Sequence, residues 1–277
     1  MSEAPLYDEI GVGYTTTRQP DPRIERAVHD ALGDAVSVVN VGAGSGSYEP
    51  RDRTVTAVEP SEVMIAQRPP GAAPVVRGVA EELPFPDGAF DAAMAVITDH
   101  HWRDRARGLR EMRRVAARRA VLLTYDPRFV DRFWLTRDYL PGFARLPGMA
   151  IDEVAAHLGA REIRPLPIPA DCRDGFMPAW WARPEAYLDA RVRAGISVFA
   201  RLSEAEVADA LARLRADLDS GAWRERNAEI VGRDALDLGF RLLVADYADG
   251  APGPDSPAQQ STALARSTTT SSAGSPV

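Results

Sequence analysis

The chain of 277 residues contains no lysine: all 33 of its basic side chains other than histidine are arginine. A Schiff base on a side-chain amine is therefore excluded, and so is a phosphate loop of the lysine-bearing kind. A single cysteine, Cys172, leaves neither an intramolecular disulfide nor a multi-cysteine metal site, which suits a reducing compartment. Positive charge is in deficit, 33 basic residues against 40 acidic ones for a net charge of -7. A nucleic-acid partner, which needs a clustered cationic face, is not expected. No apolar run approaches the roughly 20 residues that span a bilayer. The opening MSEAPLYDEIGVGY has no basic stretch followed by an apolar one. These absences lead us to expect a cytoplasmic protein with neither a membrane nor a nucleic-acid partner.

What is present is a core: 45% of the residues are hydrophobic, enough for one large domain. PDPRIERAVHDALGD places Ile24, Ala27, Val28, Ala31 and Leu32 on one helical face, with Asp21 as N-cap and Pro22 at the first helical position. AVSVVNV, RTVTAVEP, APVVRGV, FDAAMAVIT and AVLLTYDP read as five strands, and RDRARGLREMRRVAARR as the helix before the fifth. Alternation of strands with helices predicts an α/β fold with a doubly wound, mostly parallel sheet. IDEVAAHLGA is a further helix, REIRPLPIP resumes the sheet, and ALDLGFRLLVADY closes it. The stretch from Met177 to Trp223 is almost wholly helical in pattern and is expected to form a lid inserted before the last strand. The predicted organisation is an N-terminal cap segment over 1–20, a core over 21–172, a lid over 173–233, the last strand over 234–248 and a disordered tail over 249–277. The tail is rich in Pro, Ser, Thr and Gly and has too few large apolar side chains to offset the entropy of ordering.

The sharpest motif is VVNVGAGSGSYEP, where Gly42, Gly44 and Gly46 follow a strand at alternate positions. Dinucleotide sites place the third glycine one residue later, where this chain has Ser47. With NVGAGSG, the acidic strand end VEP, AEELPFPDGAFD, and LREMRRVAARRAVLLT after DHHW, all in order, the chain resembles the class I S-adenosylmethionine-dependent methyltransferases. Within them it is most similar to the small-molecule branch that includes the ubiquinone and menaquinone methyltransferases. The resemblance covers roughly Val36 to Thr124. It implies a seven-stranded Rossmann-like sheet with S-adenosyl-L-methionine as cofactor.

On that resemblance Gly42, Ala43, Gly44 and Gly46 would lie against the methionine portion of the cofactor. Glu59 would accept hydrogen bonds from the ribose hydroxyls, with Pro60 beside it. Val79, Ala80 and Glu81 would flank adenine, the amino contact falling to Glu81 or to backbone because Val79 stands where an acid is common; Thr98 would lie near the sulfur. Asn40 occupies a usually acidic position, and Pro50 leaves room for hardly more than a turn of helix after Gly46. These departures direct attention to Tyr7, Tyr14 and Arg18, of which Arg18 could clamp the cofactor carboxylate.

Methyl transfer to a hydroxyl needs alignment and a way to remove a proton. TDHHW leaves the fourth strand at the ligand edge, so His100 and His101 are the candidate catalytic bases, with Asp99 a lesser one. Adjacent histidines do not share a face, and only His29 and His157 remain to join them, so no metal site is expected. Trp102, Trp134, Phe176, Trp180 and Trp181, with Tyr187, are the candidate substrate side chains and suit a planar or greasy small molecule. The expected function is methyl transfer to a small organic acceptor in specialised metabolism, with oxygen favoured over nitrogen or carbon. A non-catalytic regulator or partner subunit that keeps the adenosine site is the alternative; an NAD-linked oxidoreductase is disfavoured by Ser47.

Overall fold

In a computed structural model the described residues are 7–8, 14–145 and 148–247. The tail expected over 249–277 and most of the expected 1–20 cap segment fall outside them. Seven strands form one sheet: β1 (Ser37–Val41), β2 (Thr54–Glu59), β3 (Val75–Arg77), β4 (Phe90–Val96), β5 (Ala116–Tyr125), β6 (Glu162–Pro165) and β9 (Phe240–Asp246). Their order is β3-β2-β1-β4-β5-β9-β6, and β9 alone runs antiparallel to its neighbours. β7 (Ile168–Pro169) and β8 (Ala235–Leu236) pair separately.

Burial on both faces explains the continuous apolar runs. Met94, Val121, Leu123, Leu242 and Val244 pack on the side of α1 (Pro22–Ala31) with Ile24, Val28 and Leu32. The alternate residues Ala93, Ala95, Leu122, Leu243 and Ala245 pack on the other side with α3 (Arg105–Val115) and α4 (Ile151–Leu158). Asp21 caps α1 as expected, its side chain accepting the Arg23 N–H at 2.9 Å. Between β2 and β3 lies only the short α2 (Glu62–Ala66), capped by Ser61.

The sheet order reverses between β1 and β4, and in open α/β sheets the crevice at such a switch point receives the ligand. The glycine turn leaves β1 and the TDHHW segment leaves β4 on either side of that crevice.

Between Gly46 and β2, where hardly more than a turn of helix is expected, none forms, and the chain turns through Gly42, Gly44, Gly46 and Tyr48, all at positive φ. Three expectations change. The fifth strand begins at Ala116 directly after Val115, because pairing of Ala116 with Phe90 and Arg119 with Ala92 outcompetes the helical pattern of AARR. REIRPLPIP divides, since Leu166 and Pro167 carry the chain from β6 in the main sheet to β7 in the small one. The lid is broken into short turns at Pro178, Pro184 and Gly195, with α5 (Ala190–Ala194), α6 (Glu204–Ser220) and α7 (Ala222–Arg226) as its α-helices. The aromatic stretch 133–140, before β6, packs into the same cluster as these lid elements.

Candidate active site

The glycine turn folds back over the end of β2. The N–H groups of Gly42 and Ala43 both donate to Val58 O, at 2.9 and 3.0 Å, and the Gly44 N–H donates to Glu59 Oε2 at 2.8 Å. Glu59 is 5% exposed and takes a second bond from the Ser61 N–H, at 3.0 Å to Oε1. Burial raises its pKa above the usual carboxylate value, against the opposing effect of those two N–H donors and of Arg68. A Cβ on Gly42, at φ +68°, would run into the Thr98 side chain, so the closest approach of β1's turn to β4 requires glycine.

Beneath the turn lies a buried ion pair that the sequence did not signal. Arg68 Nη2 meets Glu49 at 2.8 Å and Arg68 Nη1 donates to Gly44 O at 3.2 Å. Asn40 Nδ2 donates to Glu49 Oε1 at 3.1 Å, which leaves its carbonyl oxygen as its free acceptor. Gly46 faces this pair, a Cβ there lying 3.1 Å from Glu49 Oε2, whereas Asn40, Gly42, Ala43, Gly44, Glu59 and Pro60 line the crevice itself.

The crevice is a cleft of about 560 Å³ that also brings in Tyr14, Arg18, Ala80, Glu81 and Thr98. Glu81 Oε1 accepts the Asp104 N–H at 3.0 Å. Trp102, expected at the substrate, instead walls this cleft, its ring packed closely on Gly108. Arg18 does not stand free as a carboxylate clamp. It is paired with the buried Asp174, Nε to Oδ1 at 2.6 Å, and Asp174 Oδ2 also accepts the Tyr48 hydroxyl at 2.7 Å.

Behind the cleft is a second cavity of about 120 Å³, lined by Phe129, Phe133, Phe143, Phe176, Leu238 and Phe240, with Tyr125 and His100 at one end. Tyr7, Arg18, Ile97, His101 and Arg201 border both cavities and form the wall between them. Ile97 has φ +53°, an outlier for a β-branched residue, held by its N–H donating to Leu123 O at 2.7 Å.

His101 stands in this wall and His100 lines the chamber beside it, and both are held in the neutral form. Burial, with Arg201, Arg105 and Arg18 nearby, lowers the His100 pKa to about 3; burial and neighbouring His100 push His101 well below its usual value. Arginine can only donate, so the 3.3 Å contact from Arg201 Nη2 makes His101 Nδ1 the acceptor. His101 Nε2 then carries the hydrogen and donates to the Tyr7 hydroxyl at 3.1 Å. Both nitrogens of His101 are thus engaged, while His100 faces the inner chamber. Asp99 is buried against Arg105, whose Nε donates to its Oδ2 at 2.7 Å, and takes no part in the wall.

Of the aromatics expected at the substrate, Phe176 lines the chamber. Trp134, Trp180 and Trp181 do not: Trp134 Nε1 donates to Trp181 O and Trp181 Nε1 to Ile168 O, each at 2.9 Å, inside the packed lid. Trp180 lies under the Arg183 guanidinium, 4.3 Å from its ring centre. Tyr187 is fully buried between Trp134 and Phe133. Among the described residues no group of three or more His, Cys, Asp or Glu could hold a metal ion. No helix of the described residues is long and apolar enough to cross a membrane.

A family model for the methyltransferase domain matches residues 39–124. The chain is 35% identical to a protein of Anabaena variabilis ATCC 29413 provisionally assigned as a methyltransferase of an antibiotic biosynthesis pathway. That likeness covers 83% of this chain and 98% of the other, with a TM-score of 0.76. It is also similar to the chloroplastic 2-methyl-6-phytyl-1,4-hydroquinone methyltransferases of Oryza sativa subsp. japonica and Spinacia oleracea. Each is 29% identical over 143 residues, 48% of this chain. The match spans only 40% and 41% of those two curated relatives.

Proposed function

Because the chain belongs to the class I S-adenosylmethionine-dependent methyltransferases, we propose that it transfers a methyl group to an oxygen of a small, single-ring acceptor held in the inner chamber. The observation that carries this reading is the shared wall: the cleft built on the glycine turn and Glu59 meets an apolar chamber at Tyr7, Ile97 and His101. The cleft fits the cofactor. Each Glu59 oxygen accepts one backbone N–H and retains a lone pair for a ribose hydroxyl, and Gly42 lets the turn line the cleft against Thr98, where a Cβ would collide. When bound, the cofactor supplies a sulfonium-activated methyl group open to in-line displacement.

The chamber contributes size and orientation. Its volume of about 120 Å³ suits one aromatic ring, since a cavity of roughly 150 Å³ lined by Leu, Ile and Phe holds benzene. Such a chamber accommodates a hydroquinone-like head group, and a phytyl tail would have to lie outside it. Four of the five residues it shares with the cleft, Tyr7, Arg18, His101 and Arg201, are polar, which favours an acceptor whose oxygen points there. Neither histidine is suited to take a proton from an ordinary phenol. With a pKa lowered to about 3, His100 is far too weak a base to take it from a group near 10. His100 instead orients the acceptor by a hydrogen bond, and the chain works mainly by alignment. A place in specialised metabolism is supported by the Anabaena relative.

The test is calorimetry of the ligand-free protein with S-adenosylhomocysteine, followed by assay of single-ring phenols with methyl-labelled cofactor. Binding with turnover is the expected result. Binding without turnover on any acceptor would favour a regulator on the same fold, and no binding would end the reading.

A further inference from the structure

The wall between the two cavities carries an imbalance of charge. Three guanidinium groups act on His100, those of Arg201, Arg105 and Arg18. Two are neutralised locally, Arg18 by Asp174 and Arg105 by Asp99. Arg201 is not: among the described residues its guanidinium meets His101 Nδ1, at 3.3 Å, and no carboxylate. The remaining groups facing this point are neutral. They are Tyr7 and Tyr14 from the N-terminal segment, Tyr125 at the end of β5, and the two histidines, whose pKa values lie far below neutrality. One positive charge thus borders both cavities, on a side chain that is partly open to solvent and has no protein carboxylate among the described residues to pair with.

We propose that Arg201 makes the chamber selective for single-ring phenols that enter as phenolates, pairing the ionised oxygen that is then methylated. The inference rests on the methyl-transfer reading and deepens it. A neutral imidazole wall offers no strong base, so ionisation has to precede capture, and a cation at the junction rewards the ionised form. In the transfer the phenolate oxygen forms its bond to the methyl carbon as the carbon–sulfur bond breaks. The electron pair leaves with sulfur, and the phenol proton has already passed to solvent.

The experiment uses 4-nitrophenol, whose absorbance separates phenol from phenolate, titrated across pH with protein saturated in S-adenosylhomocysteine. The bound dye is expected to ionise about tenfold more readily than in water, an advantage lost in R201Q. Binding of neutral 4-nitrotoluene should be the same in both proteins. A bound dye that ionises no more readily than the free one overturns the inference while leaving methyl transfer intact. Equal weakening of nitrophenol and nitrotoluene in R201Q also overturns it, by assigning Arg201 a purely steric role. Failure of the wild-type protein to bind S-adenosylhomocysteine takes both readings down.

Discussion

Glu59 is a charge held against its own burial. Its pKa is raised in the folded state, so ionisation costs stability; that stability is complete below the ordinary carboxylate range and is lost as pH rises through the folded value. Cofactor affinity should run the other way, since the ionised form is the better acceptor. We expect E59Q to weaken S-adenosylhomocysteine roughly 10- to 100-fold by calorimetry, the loss typical of one or two bonds to a charged group. We further expect wild-type affinity to fall on acidification towards pH 5, whereas that of E59Q stays flat; matching slopes would rule Glu59 out as the titrating group. His100 has the opposite linkage. Its folded pKa is lowered to about 3, so its contribution is complete above the ordinary histidine value and drains away as pH falls from there. H100Q should therefore unfold at lower pH than wild type in an acid titration followed by circular dichroism. Glu59 and the histidine pair were legible because each ends a recognisable strand. Asp174 and Arg201 were not: their roles depend on partners 156 and 100 residues away, and no local pattern marks them.

At the scale of elements, the glycine turn works without a following helix. Its shape rests on positive φ values and on the Glu49–Arg68 pair under it. G42A combines a backbone penalty of about 1 kcal/mol with a collision against Thr98. It should reduce S-adenosylhomocysteine affinity at least tenfold, and T98A should restore part of the loss in a double-mutant cycle; purely additive effects would contradict the contact. The lid depends on different signals. Ser203 and Glu206 form a capping box at the start of α6, so S203A should cost about 1 kcal/mol and speed hydrogen exchange over Glu204–Ser220 with cofactor affinity unchanged. The central strands β1, β4, β5 and β9 could be read from sequence because burial on both faces demands apolar runs, whereas the edge strands β3 and β6 are largely exposed. The lid could not, because its helical pattern continues across Pro178, Pro184 and Gly195, where the backbone breaks into short turns. Composition likewise could not separate tryptophans that fill the lid, such as Trp134 and Trp181, from aromatics that line a chamber, such as Phe133 and Phe143.

For the whole molecule, Asp174 joins three distant parts of the chain: Arg18 before α1, Tyr48 in the glycine turn, and its own segment leading into the lid. D174N would strand a guanidinium that is 10% exposed and cost about 3–5 kcal/mol. The expected loss in Tm is roughly 10 °C by calorimetric scan, and a change under 2 °C would show that the pair is dispensable. The wall between cleft and chamber is equally scattered, with contributions from Tyr7, Ile97 and Arg201. Strand β9 enters between β5 and β6, so the sheet cannot close until the chain has been made past Asp246. A nascent chain that has emerged only through β5 already carries every glycine of the turn and Glu59, yet has no enclosed place for an acceptor. Competence for transfer therefore waits on β9, and a fragment that stops at β5 would carry the cofactor turn with no chamber to serve it.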